Sequence, residues 1–283
     1  MDGISYKIRV MKREEVDLAI EWAATEGWNP GLNDGDCFYN TDPNGFLIGL
    51  LDGKPVAVIS AIKYNDHFGF IGFYIVRPGY RGLSYGPLIG KAALEYLNGC
   101  NIGLDGVVEK QSNYLSFGFK MAYKNIRYQG LGGGVTPDYP GIVQLHNLPF
   151  EKLCEYDESF FPANRSLFLK YWVNQPQSTA LGVVKSGHLI GYGVIRICRS
   201  GYKIGPLFAD TAEVADILFQ SLKAKAPQES PVFLDIPEVN PQAIDLVARY
   251  KMSPCFETAR MYTGSAPGLP LQKIYGVTSF ELG

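Results

Sequence analysis

The sequence predicts a mixed α/β protein made of two similar domains in tandem, each a twisted mixed sheet flanked by helices. Three observations carry this expectation. Short apolar or alternating runs interleave with segments of helical spacing along the chain. One stretch rich in glycine and proline, 130–141, divides it. The order of signals then repeats at a constant offset. Gly53 and Gly187 sit in matching hairpin turns, and Asn125-Ile126-Arg127-Tyr128 is echoed by Ala259-Arg260-Met261-Tyr262, each pair 134 residues apart. A repeat this long reads as a duplicated domain rather than a solenoid. The expected limits are a first domain at 1–130, a linker at 131–141 and a second domain at 142–283.

The elements follow in order. Residues 7–10 read as a strand, and 13–25 carry apolar positions at helical spacing. Gly27-Trp28-Asn29-Pro30-Gly31 stops that helix and opens a loop expected to run to residue 45. Strands at 46–51 and 55–62 flank the turn Asp52-Gly53-Lys54. Residues 68–76, Phe-Gly-Phe-Ile-Gly-Phe-Tyr-Ile-Val, read as a buried strand. A helix over 87–97 begins on a proline, which the first helical turn tolerates. A strand at 102–108, a helix at 111–117 and a strand at 121–128 complete the first half. Past the linker come a strand at 190–195, a further strand, a helix at 212–222, a strand at 232–236 and a helix at 241–250.

The chain has 283 residues, 46% of them hydrophobic and 19% charged, which suits a globular protein with a core of its own. The formal net charge of -2 argues against nucleic-acid binding through a broad basic surface. No apolar run nears the roughly 18 residues of a membrane span, and Met1–Lys7 lacks a basic-then-apolar leader. Five scattered cysteines, Cys37, Cys100, Cys154, Cys198 and Cys255, form no CxxC pair, as expected of reduced thiols in a cytoplasmic protein. Three histidines without HExxH spacing give no reason to expect a metal. His67 falls in a polar turn and is expected to be exposed.

One segment points to chemistry. Arg81-Gly82-Leu83-Ser84-Tyr85-Gly86 follows the buried strand and opens a helix. Small residues let the backbone approach a pyrophosphate, and the free N–H groups of the first helical turn point at it. Arg81 adds a charged donor. A Walker loop does not fit, because Gly86 and Gly90 are separated by three residues rather than four, and the GxGxxG fingerprint is absent. On glycine content alone, a ligand-free helix entry would look the same.

This segment resembles the GNAT superfamily of N-acetyltransferases, whose hallmark is Arg/Gln-x-x-Gly-x-Gly/Ala after a strand ending in Val-x-Pro. Val76, Pro78, Arg81 and Gly86 match, while Ser84 replaces the middle glycine. A second family element, a tyrosine four residues ahead of a Gly-Phe pair, is supplied by Tyr114-Leu115-Ser116-Phe117-Gly118-Phe119, although Val107 stands where an asparagine is usual. The resemblance covers about residues 6–128. The whole chain looks like a subgroup in which such a domain precedes a degenerate GNAT-like one.

The resemblance implies acetyl-CoA as the cofactor, held by Ile75, Val76, Arg77, Arg81, Gly82, Leu83, Ser84, Tyr85 and Gly86. It implies that the strand before the loop splays from its neighbour, that a main-chain N–H near Val76 polarises the thioester, and that Tyr114 protonates the departing thiolate. Candidates for the base are Glu26, Asp34, Asp36 and Asp105, with Glu26 and Asp105 placed first. Trp28, Asp36, Phe38 and Tyr39 are candidates for the acceptor wall. The expected acceptor is a primary amine on a small molecule. A protein or peptide acceptor and a non-catalytic CoA-binding sensor are the alternatives, and a homodimer is open. In the second half, Ile204-Gly205-Pro206-Leu207-Phe208-Ala209-Asp210 stands where the pyrophosphate loop should be, and Ala248 stands where Tyr114 would. One cofactor per chain is therefore expected. Asp157, Arg165, Phe160, Phe161 and Trp172 are expected at an interface between the halves, without a chemical role.

Overall fold

The computed structural model describes residues 5–283, so the first four residues of the expected leader-free start lie outside the described residues. The first half runs β1 (Tyr6–Val10), α1 (Arg13–Thr25), α2 (Asp34–Thr41), β2 (Phe46–Leu51), β3 (Lys54–Lys63), β4 (Phe68–Val76), α3 (Tyr85–Tyr96), β5 (Asn101–Val107), α4 (Gln111–Ser116) and β6 (Lys120–Leu131). The second runs β7 (Ile142–Gln144), α5 (Phe150–Asp157), α6 (Ser166–Trp172), β8 (Ser178–Lys185), β9 (His188–Ile197), β10 (Tyr202–Ala209), α7 (Ala212–Lys223), β11 (Pro231–Pro237), α8 (Pro241–Arg249), β12 (Ser253–Tyr262) and β13 (Ile274–Gly276).

Among the described residues all thirteen strands belong to one sheet, in the order β1-β2-β3-β4-β5-β12-β6-β11-β10-β9-β8-β7, with β13 beside β10. The halves exchange their last strands. β12 pairs with β5 from Thr258↔Val107 to Tyr262↔Gly103, and β6 pairs with β11 from Leu131↔Pro231 to Asn125↔Pro237. The polypeptide between the halves is irregular from Gly132, after β6 has run three residues past the strand end that its pattern suggests.

Strand alternation sorts the core onto two faces. On β3, Val58 and Ile62 join one cluster while Ala57, Ile59 and Ala61 join another. On β10, Phe208 faces the first cluster while Ile204 and Leu207 face a third. The first cluster takes residues from α1, α2, α5 and α6 and spans both halves, with Phe38, Phe73, Trp172, Tyr192 and Phe208 buried together. The opposite face carries α3 and α4 over the first half and α7 and α8 over the second. Among the described residues no helix is long and apolar enough to cross a membrane.

Sequence patterning missed α2, which lies inside the expected loop. Its anchor explains why: Asp34, fully buried, accepts from the Gly31 N–H at 2.8 Å and from Arg196 Nε at 2.9 Å, a partner 162 residues away. The cluster of Asp157, Arg165, Phe160, Phe161 and Trp172 is buried. Arg165 makes a bidentate pair with Asp157, both bonds 2.7 Å, and its Nη1 donates to Thr278 Oγ1 at 3.0 Å. Arg165 thereby pins the segment that follows β13.

Two splits in the sheet are decisive. β4 and β5 pair in parallel from Phe68↔Asn101 only as far as Ile71↔Leu104. On the other side of β4 the register with β3 jumps from Ser60↔Gly72 to Val58↔Ile75, and Phe73 takes a left-handed φ of 46°. This bulge turns the end of β4 away from β5. In the second half β10 and β11 likewise pair only from Tyr202↔Val232 to Ile204↔Leu234. There the chain fills its own split: β13 pairs with β10 at Leu207↔Gly276 and Phe208↔Ile274, and the Val277 N–H donates to Asp235 O at 2.8 Å.

Candidate active site

The open split between β4 and β5 leads to the N-terminus of α3. Arg77 to Arg81 form a tight turn, with the Tyr80 N–H donating to Arg77 O and the Arg81 N–H to Pro78 O. Gly82 and Ser84 then adopt φ of 80° and 66°. The left-handed conformation suits Gly82, and Ser84 accepts the same conformation with a side chain, at a cost of about 1 kcal/mol. Among the described residues none accepts a hydrogen bond from the N–H groups of Gly82, Leu83, Ser84, Tyr85 or Gly86. Gly86 also serves packing, since a methyl there would lie 3.0 Å from Tyr74 Oη.

A cleft of about 680 Å³ runs along this loop and into the split. Its walls include Ile75 and Val76 from β4, Arg81, Gly82, Ser84 and Gly86 from the loop, Tyr114 and Asn113 from α4, Glu26 and Trp28, and Phe256 from β12. At its inner end a pocket of about 40 Å³ passes through the sheet. Tyr74, Leu104 and Tyr114 come to it from one face; Trp28, Phe73, Phe256 and Phe280 come from the other.

The candidate residues divide clearly. Tyr114 stands at the junction of cleft and inner pocket. Burial, aided by Tyr74, pushes its phenol up to about 12, so it carries its proton throughout the neutral range. Gly106 makes room for it, because a methyl at Gly106 would overlap the Tyr114 ring. Glu26 lines the cleft and forms an ion pair with Arg81, whose Nε also donates to Val76 O at 2.9 Å. Asp105 lines the inner pocket, but both oxygens are engaged: Arg260 Nε and Nη2 donate at 2.9 and 2.6 Å, and Asn125 Nδ2 donates at 2.8 Å.

Trp28 lines both spaces. Asp36, Phe38 and Tyr39 lie elsewhere. Asp36 pairs with Arg13 at 2.7 Å, Phe38 is buried between Phe73 and Trp172, and Tyr39 packs on the same core. Arg77 stacks over Trp22 at 5.8 Å, Leu83 is exposed, and Tyr85 packs its ring on Tyr6 at 4.7 Å. Leu83 and Tyr85 do not line the cleft. Phe256, Thr258, Phe280 and Glu281 also line the inner pocket, and nothing in their local sequence announces it. Asn113 had a weak signal, as the neighbour of Tyr114 on the helix that faces the loop.

The donor set fits the diphosphate of an acyl-CoA. Arg81, Gly82, Ser84 and Gly86 line a cleft of adequate volume, the last three with N–H groups that have no partner among the described residues, and β4 offers an unpaired strand edge beyond Ile71 to a peptide-like arm.

Comparison with known proteins agrees with this geometry. The profile described as "Acetyltransferase (GNAT) family" matches residues 13–116, and that described as "Acetyltransferase (GNAT) domain" matches 153–276. Holothin acyltransferase of Pseudoalteromonas sp. (strain SANK 73390) is 32% identical over 270 residues, covering 95% of this chain and 92% of that protein. A Pyrococcus horikoshii structure provisionally assigned as an acetyltransferase superposes with a TM-score of 0.84 at 22% identity, covering 100% and 99% of the two chains. A tandem GNAT protein from the clavulanic acid biosynthesis pathway gives 0.63 at 12% identity, covering 93% and 100%. With both halves matched and a relative aligned along nearly its whole length, the chain belongs to the GNAT family as a two-domain N-acyltransferase.

Proposed function

We propose that the protein moves an acetyl group from acetyl-CoA to the primary amine of a small molecule, by direct attack in a ternary complex. The observation that carries this reading is the run of unpaired N–H groups from Gly82 to Gly86 at the mouth of α3, opening into a split that ends at Tyr114. Acetyl-CoA bound there would supply the activated thioester. A relative named for one acceptor, holothin, supports a defined small acceptor here.

The roles of the chain's own groups follow from their placement. Backbone donors 82–86 hold the diphosphate, and Arg81 adds charge once it leaves Glu26. The main-chain N–H of Val76, on the unpaired part of β4, polarises the thioester carbonyl. Tyr114 gives its proton to the departing sulfur. Trp28 and Phe256 keep water from the reacting atoms. Asp105, saturated by Arg260 and Asn125, ties β5 to β12 and stays outside the proton path. The second half holds no donor, because β13 occupies the split equivalent to the one in the first half.

Calorimetry with acetyl-CoA and thiol release against a panel of amines test this reading. Arg81→Glu, which sets a second carboxylate beside Glu26, should weaken acetyl-CoA binding by at least about tenfold. Tyr114→Phe should bind the donor as before and turn over roughly 10²-fold more slowly. No heat with acetyl-CoA would overturn the reading; heat without turnover on any amine would favour the sensor.

A further inference from the structure

Among the described residues, buried carboxylates are partnered, with one exception. Asp34 has Arg196 and the Gly31 N–H, Asp157 has Arg165 and Tyr192, and Asp235 has Arg127 through bonds of 2.6 and 2.7 Å. Asp42 accepts from Tyr96 at 3.0 Å and from the Lys63 N–H at 2.8 Å. Glu281 is 3% exposed, yet among the described residues none donates a hydrogen bond to it, and its Oε1 is wholly buried without a partner. A buried acceptor left unpaired costs about 1–3 kcal/mol, more when charged, so a folded protein retains one for a reason.

The position of Glu281 supplies the reason. It lines the inner pocket together with Trp28, Phe256, Phe280 and Thr258, whose Oγ1 is also buried and unpartnered. Tyr114 closes the same pocket from the opposite face of the sheet. The backbone carbonyl of Glu281 packs on the bulge of β4, where Gly72 leaves no room for a side chain. The segment is fixed from both sides, since Arg165 donates to Thr278 and Tyr64 Oη donates to Leu282 O at 2.8 Å.

From this geometry we infer that Glu281 receives the ammonium group of the acceptor and takes its proton, making it the base of the transfer. The inference rests on the proposed N-acetyl transfer. The balance is complete. Glu281 accepts one proton from R–NH3+ and later releases it to water. The neutral nitrogen attacks the thioester carbonyl carbon, the new C–N bond forms and the C–S bond breaks. The nitrogen loses a second proton, and the sulfur leaves as a thiol with the proton of Tyr114, which is replenished by that second proton. The inner pocket is narrow between the aromatic walls of Trp28, Phe256, Phe280 and Tyr114, so the fitting acceptor is a primary amine on an unbranched carbon.

The titratable groups around this carboxylate are Asp105 on β5 and Tyr114 on α4 in the pocket wall, with Arg127, Arg196 and Lys203 on β6, β9 and β10 acting on it through space. None of the three donates a hydrogen bond to Glu281, although Arg196 Nη1 and Nη2 are buried without a partner among the described residues. Arg127 holds Asp235, Arg196 holds Asp34, and Lys203 Nζ donates to Asn29 O at 2.8 Å.

The test compares wild type, Glu281→Gln and Glu281→Asp, with acetyl-CoA and a pair of isomeric amines, one unbranched and one branched beside the nitrogen. Glu281→Gln should lose about 10²–10⁴-fold in kcat/KM for the amine, with acetyl-CoA affinity unchanged. The loss should shrink as pH rises, because amine that arrives neutral has no proton to surrender. Glu281→Asp keeps a carboxylate and should recover part of the rate, and wild type should prefer the unbranched amine. Wild-type turnover by Glu281→Gln overturns the assignment, as does a loss that is constant with pH and not relieved by Glu281→Asp. Should Glu281→Gln fail to bind acetyl-CoA, Glu281→Asp is read alone by the same criteria. Equal rates for the two amines overturn the acceptor class. A wild type that binds acetyl-CoA but acetylates no amine removes the proposed function itself, and the role of Glu281 with it.

Discussion

Asp105→Asn separates a structural carboxylate from a catalytic one. The wild-type side chain meets Arg260 through two bonds of 2.9 and 2.6 Å, with 0% of the Asp105 side chain and 6% of the Arg260 side chain exposed. Asparagine keeps the shape but turns one acceptor into a donor facing a guanidinium, and it leaves that cation buried without its counter-charge. Breaking a buried pair from one side costs about 3–5 kcal/mol. At about 1.4 kcal/mol per tenfold, that is roughly a 10²–10⁴-fold fall in the folding constant, and a melting temperature lower by on the order of 10 °C. The pair joins β5 of one half to β12 of the other, so the loss should appear in a single urea transition rather than in one half alone. A cycle with Arg260→Met and Asp105→Leu should return most of the loss in the double variant, because the orphaned charge is gone. Turnover measured well below the melting temperature should change far less than stability. A stability loss under about 1 kcal/mol together with a 10²-fold fall in turnover would refute this account and put Asp105 back in the proton path.

Two further outcomes follow from the same geometry. Gly106→Ala places a methyl in the Tyr114 ring, so it should cost about 1–3 kcal/mol of stability and displace the phenol enough to slow turnover roughly 10²-fold, with acetyl-CoA affinity retained in calorimetry. Burial raises Tyr6, Tyr74 and Tyr114 from 10.0 to about 12, with neighbouring tyrosines adding to the effect at Tyr6 and Tyr114. Their folded-state values lie above the unfolded ones, so the stability they contribute is intact below pH 10 and declines as pH rises from 10 towards 12. Urea midpoints measured across that window should fall with pH, and phenolate absorbance should lag behind that of the unfolded chain.

Much of the fold was legible because it is local. The helix at Arg13–Thr25 and the strands at Phe46–Leu51 and Phe68–Val76 fall where apolar spacing puts them, since period and turn chemistry act over a few residues. The loop Arg81–Gly86 was readable for the same reason: a helix N-terminus carries its donors in its own backbone. Helix Asp34–Thr41 was not, because its anchor is Arg196. Asp36, Phe38 and Tyr39 look alike in sequence as loop residues, yet one is solvated, one is core and one is partly buried.

The sequence by itself determined most element types, the duplicated order, the turn that opens α3 and the tyrosine that lines the same cleft. Only the tertiary structure decided which strand lies beside β5, what fills the split in the second half, and which carboxylate of the inner pocket is left without a partner. Each of those depends on partners far apart in the chain, such as Asp105 with Arg260, Leu207 with Gly276, and Gly72 with Glu281. A strand edge or a buried charge can be satisfied by many segments of suitable composition, and only simultaneous packing of the whole chain selects one.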